Sequence, residues 1–500
     1  MTRDQILIQA LARLPAPTVL LAPTQVTYRL DGADKGRIDE RAAIEAGYGK
    51  AVRITTRQRA TAEWEVKAVI DIDNPVSKGD VMLMVFRVRN PSAAAGADAR
   101  TQLVIERGAE PHDRLAAYPV NITGNWVLHY VPFEARSDFS AGEWSVNFFA
   151  GYAPQAFELT DVRLLHFGNQ VSSKELPRIR RTYAGIARDA AWRAEAAARI
   201  DRIRKADLSV TVVDCAGNPV SGAEVDIAMT RHAFLFGSAV VLQWLGDLGN
   251  PDHNVYRQHI EQLFNHVVNE NDLKWPQWSG VRGPDWSQER SLTALRWLKE
   301  RGFHTKGHCI IWPSWWGTIP SLREAADNPD AMRTIIAERI RDLVTRAGPF
   351  IDEWDVINEP FTNNDVMKVL GNEAMIDWFK QTREHTADAR LYLNDYDILA
   401  SGGETDTAHQ QHVEESLRYL IDGEAPIGGI GMQSHFGENV TPPATLWKIL
   451  DRFATFNLPI QITEFDLNTE DEKLQANYTR DFMTAVFAHE AINGFVMWGF

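Results

Sequence analysis

The chain has 500 residues, of which 44% are hydrophobic and 24% charged, and its formal net charge is -15. That length suits a barrel-sized domain plus an accessory module, and the composition is that of a soluble globular protein. An acidic balance with no basic patch argues against nucleic acid and anionic membrane as partners, and it is compatible with a neutral substrate.

From the N-terminus, Met1 to Ala22 has apolar stretches but no basic start leading into an uninterrupted apolar core, so no signal peptide is visible. No apolar run is long enough to span a membrane. Residues up to about 170 read as all-β, with alternation in Val66 to Ile72 and in Val81 to Val88. Further strand signals are Trp126 to Val131, Trp144 to Phe149 and Phe157 to Leu165, separated by turns such as Asp73-Asn74-Pro75. The Ala- and Gly-rich stretch Pro91 to Ala99 is expected to be a surface loop. Many short strands with little helix predict a β-sandwich over residues 1–170.

Ser173 to Lys205 is rich in Ala and Arg, with apolar residues at helical spacing, and predicts a long connecting helix over 171–206. Leu208 to Val213 and Ala223 to Met229 then predict a hairpin around Gly217-Asn218-Pro219. From there strand and helix signals alternate. The predicted strands are Phe234 to Gly237, His266 to Asn269, Thr305 to Ile311, Trp354 to Asn358, Leu391 to Leu393, Ile430 to Gln433, Ile460 to Thr463 and Phe495 to Trp498. Helical patterns fill the seven gaps. That alternation predicts a (β/α)8 barrel over 207–500, cut just after its last strand. Of the 2 cysteines, Cys215 falls in a predicted turn and Cys309 in a predicted strand, so neither a disulfide nor a metal site is expected.

Polar and aromatic residues gather where these strands end, which is where barrel active sites lie. Strand two runs into Glu270-Asn271-Asp272-Leu273-Lys274-Trp275, and strand three carries Gly307-His308 and reaches Trp312. Strand four ends in Asn358-Glu359, strand five in Asn394-Asp395, and strand six in Gln433-Ser434-His435. Strand seven supplies Glu464 and Asp466, and strand eight ends in Trp498. A His or Asn at one strand end often only caps the next helix. Seven consecutive strand ends carrying sugar-binding residue types are hard to explain that way. Two carboxylates, Glu359 and Glu464, projecting at one end of a parallel barrel suit glycoside hydrolysis, which needs an acid and a nucleophile or base.

On these motifs, with Phe236-Gly237, Trp354-Asp355-Val356-Ile357-Asn358-Glu359-Pro360 and Ile462-Thr463-Glu464-Phe465-Asp466 in order, the chain from Leu208 onward resembles glycoside hydrolase family 10. The activity characteristic of that family is endo-β-1,4-xylanase. The resemblance implies Glu359 as general acid/base and Glu464 as nucleophile, with retention of configuration and carboxyl groups about 5–5.5 Å apart. To keep its proton near neutral pH, Glu359 needs a raised pKa, which burial and the Glu464 anion would supply. The resemblance further implies that Asn358 donates to the sugar 2-hydroxyl, and that His435 bonds Glu464 with Asp466 behind it. Glu270, Asn271, Lys274 and His308 would line the non-reducing-side subsites, with Gln433 near the nucleophile. Trp312 and Trp498 would wall the cleavage subsite.

Two departures stand out. Pro313 replaces the family's usual His after Trp312, and the chain stops at Phe500, where the family continues with another aromatic and a closing helix; a truncated record is expected. The sandwich more loosely resembles, through its tail Ala156 to Val162, the carbohydrate-binding modules that precede such catalytic domains. Its architecture is expected to be jelly-roll-like, with Trp126, Tyr130, Trp144 and Tyr152 as sugar-platform candidates. Such modules often hold a structural Ca2+, but no acidic loop identifies a site. Overall, no cofactor is expected. The implied partner is xylan or a related β-1,4-linked polysaccharide, the protein is expected to be a monomer, and the family implies a secreted or periplasmic location. The readings left open are a β-1,4-glucanase on the same barrel and a non-catalytic polysaccharide-binding protein. A metal-dependent hydrolase lacks a ligand set, because His308 and His435 have other roles in this scheme.

Overall fold

The computed structural model describes residues 2–42, 50–58, 60–91, 99–110, 112–122, 124–179, 181–469 and 471–500. The chain divides into two compact units, Met1–Arg180 and Arg181–Phe500.

In the first unit, two antiparallel sheets stack as a β-sandwich. One contains Thr18–Leu21, Gly36–Ala42, Lys50–Thr56, Val81–Arg89, Val127–Glu134 and Gln155–Gly168. The other contains Arg29–Asp31, Lys67–Ile72, Ala99–Arg107, Arg114–Ile122 and Trp144–Phe149. Met84, Phe86, Phe148 and Phe157 fill the space between them. Val81–Arg89 does not alternate as a half-exposed strand should; every residue through Val88 is buried. The reason is a helix that the sequence reading missed. Arg3–Leu11 lays Leu7 against Leu83, Val85 and Tyr130 on the outer face of that sheet. Its start is legible in retrospect, since Thr2 and Gln5 form a capping box.

Two platform candidates are core residues. Trp144 is 1% exposed, with Nε1 donating to the Asn74 carbonyl at 2.8 Å, and Tyr130 is buried as well. Trp126 and Tyr152 are half-buried, each beneath a guanidinium, of Arg89 and Arg100 respectively. Most of the expected loop Pro91 to Ala99 lies outside the described residues.

The second unit opens with turns and a helix. Helical structure covers only Ala191–Arg204, so the predicted long connecting helix is corrected to its second half. Trp192 packs edge-on against Trp447 of the barrel, and Arg204 lies over Phe234 and Phe487. The predicted hairpin is also corrected. Between Arg204 and the barrel the chain is extended and exposed, with a single bridge, Val213 to Pro219, across a turn held by Asp214. Leu208, Val210, Ile227 and Met229 alternate as strand residues do but stay exposed, because no neighbouring sheet is there to bury them.

Eight parallel strands follow: Leu235–Val240, His266–Asn269, His304–Gly307, Glu353–Asn358, Arg390–Asp395, Gly429–Met432, Ile460–Leu467 and Ile492–Met497, called strands one to eight below. They pair in order, and strand eight returns to strand one at Leu235↔Gly494, which closes the barrel. A two-residue strand, His435–Phe436, adds to strand seven after strand six. Five of the helices between begin where a side chain accepts from a first-turn amide, at Asn250, Ser287, Asn328, Thr407 and Asp471, whereas Glu373–His385 and Pro443–Ala454 start without such a cap. Inside the barrel, Tyr392 and Gln461 donate to the buried Glu353, at 2.9 and 2.8 Å. Among the described residues, no helix is long and apolar enough to cross a membrane.

Candidate active site

Glu359 directly follows strand four, and its backbone has φ 53°, a left-handed conformation uncommon outside glycine. The bend is tied down by its N–H, which donates to the Asn394 carbonyl at 2.9 Å. Glu464 lies within strand seven and is 4% exposed.

A chain of amides joins the two carboxylates. Gln433 Nε2 donates to Glu359 Oε1 at 2.9 Å and reaches Asn358 Oδ1 at 3.3 Å. Asn394 Nδ2 donates to the same Asn358 oxygen at 2.9 Å and to Glu464 Oε1 at 2.8 Å. Asn358 Oδ1 therefore accepts twice, which fixes its amide. Its Nδ2 is buried and has no partner among the described residues. A buried donor left free costs stability unless something outside the protein satisfies it. Asn394 is itself held through Oδ1 by Thr463 Oγ1 at 2.7 Å.

The surroundings separate the two carboxyls electrostatically. Burial, and after it the nearby Glu464 and Asp395 charges, raises the pKa of Glu359 against the opposing Gln433 hydrogen bond. For Glu464 burial also pushes upward, but His308, His435 and Lys274 outweigh it and hold the group below its ordinary value. His435 Nδ1 donates to Asp466 Oδ2 at 2.8 Å, and Nε2 to Glu464 Oε2 at 3.1 Å. Against the opposing effect of burial, these two carboxylates push the imidazole pKa up to about 10, so His435 is a cation at neutral pH. His308 stands 3.8 Å from Glu464 Oε1 and pairs with Asp355 at 3.0 Å, while Asp355 pairs with the fully buried Lys306 at 3.0 Å.

A second group surrounds this centre. Asn271 Nδ2 donates to Glu270 Oε1 at 3.0 Å, and Lys274 Nζ donates to Asn271 Oδ1 at 2.8 Å. The same ammonium lies 5.0 Å from the Trp312 ring and 5.9 Å from the Trp498 ring. Trp498 meets both His308 and His435 edge-on. At the departure after Trp312, the Pro313 carbonyl accepts from Val366 N at 3.0 Å and Trp315 N donates to Asp365 at 3.1 Å. The half-exposed Trp316 packs edge-on to Trp312 at 4.1 Å.

Contacts around the two carboxylates thus link Glu270, Asn271, Lys274, His308, Trp312, Asn358, Gln433, His435, Asp466 and Trp498, whereas Asp272 turns to Gln243 and Asp395 to His409. Three contributors had not been identified: Asn363, whose Nδ2 donates to Glu359 Oε2 at 3.0 Å, Asn394 as the clamp on Glu464, and the Asp355–Lys306 pair behind His308. Asn394 and Asp355 stood inside quoted motifs. Asn363 carries no signal of its own, because only the turn after Glu359 returns it to the carboxylate. Among the described residues, no group of three or more His, Cys, Asp or Glu side chains is placed to hold a metal ion.

Comparison with known proteins gives a consistent result. The chain is 28% identical over 324 residues to the anti-sigma-I factor RsgI6 of Acetivibrio thermocellus, a match covering 62% of this chain and 38% of that protein. It is 27% identical over 300 residues to endo-1,4-beta-xylanase 1 of Arabidopsis thaliana, covering 60% and 30% respectively. With endo-1,4-beta-xylanase B of Paenibacillus barcinonensis the identity is 25% over 265 residues, covering 49% of this chain and 74% of that one. The chain thus spans well under half the length of the first two relatives. The family profile described as glycosyl hydrolase family 10 matches residues 227–500, which include the whole barrel and both carboxylates. The chain belongs to glycosyl hydrolase family 10.

Proposed function

We propose that the protein is an endo-β-1,4-xylanase acting by retaining double displacement. The observation that carries this reading is the geometry of two carboxyls linked through Gln433, Asn358 and Asn394, with Asn363 on Glu359 and His435 on Glu464; burial raises the pKa of the first, and His308, His435 and Lys274 lower that of the second. Glu464 attacks the anomeric carbon while Glu359 gives its proton to the glycosidic oxygen, so the bond breaks as the glycosyl-enzyme forms. Glu359, now ionised, takes a proton from water, which releases the sugar from Glu464. Gln433 and Asn394 hold the two carboxyls in register. Asn358 Nδ2, free of protein partners among the described residues, suits a donor to the sugar 2-hydroxyl. His435, cationic between Asp466 and Glu464, keeps the nucleophile ionised and oriented.

Xylan is favoured over glucan by crowding. Lys274 lies 5.0 Å from the Trp312 ring and 5.9 Å from the Trp498 ring, and in this reading that crowding leaves little room for the hydroxymethyl group that glucose carries and xylose lacks. Glu270, Asn271, Lys274 and His308 bind the non-reducing-side sugars in this scheme. Because xylan is an extracellular polymer, the reading entails a secreted or periplasmic protein. The test is release of reducing ends from xylan by the wild type, Glu359→Ala and Glu464→Ala. Loss of the acid/base should cost about 10²–10⁴-fold, and loss of the nucleophile at least as much. Near-normal rates in either variant would sink the assignment, and faster cleavage of soluble cellulose derivatives than of xylan would move it to a glucanase.

A further inference from the structure

Each oxygen of Glu359 accepts a hydrogen bond from a neutral amide, and the two amides differ in what else they hold. Gln433 Nε2, which donates to Oε1, also reaches Asn358 Oδ1 and through it the Asn394 amide on Glu464. Asn363 Nδ2 donates to Oε2 at 3.0 Å, and its other bond, at 3.2 Å, goes to Thr362 in the same loop. Among the described residues its side chain therefore serves Glu359 and no part of the nucleophile's network. The loop aims it. Asn363 N donates to the Glu359 carbonyl at 3.0 Å, closing a turn that starts at the left-handed Glu359 and sets the amide back over the carboxylate. Tyr396 Oη donates to Thr362 Oγ1 at 3.1 Å, Asn364 Nδ2 donates to the Phe361 carbonyl at 3.1 Å, and the Phe361 ring stacks on His409 at 4.1 Å. Asn363 is 8% exposed, so water competes little for its donor.

Double displacement needs Glu359 as an acid first and as a base afterwards, and its surroundings do not favour the two forms equally. Burial and the Glu464 and Asp395 charges favour the protonated form, against Gln433 and His308. Formation of the glycosyl-enzyme removes the Glu464 charge, but burial and Asp395 remain when Glu359 must be ionised to take a proton from water. The titratable groups facing it from other elements are His308 and Cys309 after strand three, Asp395 and Tyr396 at the end of strand five, and Glu464 in strand seven. An N–H bonds a carboxylate more strongly than it bonds a neutral carboxyl group. A fixed donor on Oε2 thus works against the bias in the second step.

We propose that Asn363 is a positioning residue for the second displacement, stabilising and orienting the ionised, general-base form of Glu359. The proposal rests on the retaining reading above. The first measurement needs no turnover: a 13C NMR titration of the Glu359 carboxyl in the full chain carrying Asn363→Ala or Asn363→Asp. Losing a donor to the anion favours the acid, so Glu359 should titrate higher than in the wild type, by about half to one pH unit in Asn363→Ala. Asn363→Asp keeps the shape, loses the donor and adds a carboxylate, so it should move the titration further. The second measurement uses a dinitrophenyl β-xylobioside, whose good leaving group makes the second displacement limit kcat. The basic limb of kcat/KM needs protonated Glu359 and the acid limb of kcat needs it ionised, so both should move to higher pH by that same amount. On the acid side kcat should fall about 3- to 10-fold while kcat/KM is kept. A merely structural role would lower both parameters at every pH and displace neither limb. A Glu359 titration that is unchanged or lower in both variants, or limbs that stay in place, would overturn the proposal. A wild type that releases no reducing ends from xylan would overturn the xylanase reading instead, and the NMR titration would still decide whether Asn363 stabilises the Glu359 anion.

Discussion

At the scale of single residues, the chemistry depends on giving opposite environments to two glutamates that are joined through the side chains of Gln433, Asn358 and Asn394. Glu359 must be protonated to act as an acid, so its raised pKa extends activity toward higher pH. Glu464 must be ionised to attack, so its lowered pKa extends activity toward lower pH. The two are coupled, since the Glu464 charge is one cause of the rise at Glu359. Replacing Glu464 by Gln removes that charge, so the Glu359 pKa should fall while burial, the larger cause, still keeps it raised. A 13C NMR titration of the Glu359 carboxyl in wild type and Glu464→Gln reads this directly. An unchanged or higher value would show that the pair is not coupled. At this scale the sequence was informative where a side chain ends or directly follows a strand, as Asn358, Glu359 and Gln433 do, and at Glu464, although strand seven runs on past it to Leu467. It was silent on Asn363, which reaches Glu359 only because the turn following strand four folds it back.

At the scale of elements, the barrel strands were legible because most are short apolar runs with a polar end, alternating with stretches of helical periodicity. What the runs do not reveal is how closely neighbouring strands approach. Gly431, in strand six, faces Asn394 so tightly that a Cβ would lie 2.3 Å from its Oδ1. Asn394 is the amide that holds Glu464, so this glycine keeps space for the site rather than serving a turn. Gly431→Ala should cost about 1–3 kcal/mol of stability as an overpacked core position and should lower kcat by displacing Asn394. Gly437→Ala, with no atom within 4 Å of its added methyl, should change neither. Thermal unfolding and steady-state rates of the two variants check this, and indistinguishable behaviour would remove the packing argument. The helix Arg3–Leu11 and the extended stretch after Arg204 escaped the reading for related reasons. Both depend on what covers an apolar face, which neither periodicity nor propensity records.

At the scale of the whole molecule, each unit has its own core: paired antiparallel sheets in the first, and a closed parallel barrel in the second. Closure is what turns seven scattered motifs into one site, because it brings strands four, five, six and seven to a common rim. The order of strands and helices was therefore enough to foresee the architecture, whereas the sandwich's Trp144 and Tyr130, equally prominent in the sequence, proved to be interior residues. The central claim is that Glu464 attacks while Glu359 first donates and then withdraws a proton. The most direct measurement is proton NMR of the anomer formed first when the protein cleaves a xylo-oligosaccharide, recorded before mutarotation. Two displacements at one carbon predict the β-anomer; an initial α-anomer would mean a single displacement by water and would contradict the assigned roles of both residues.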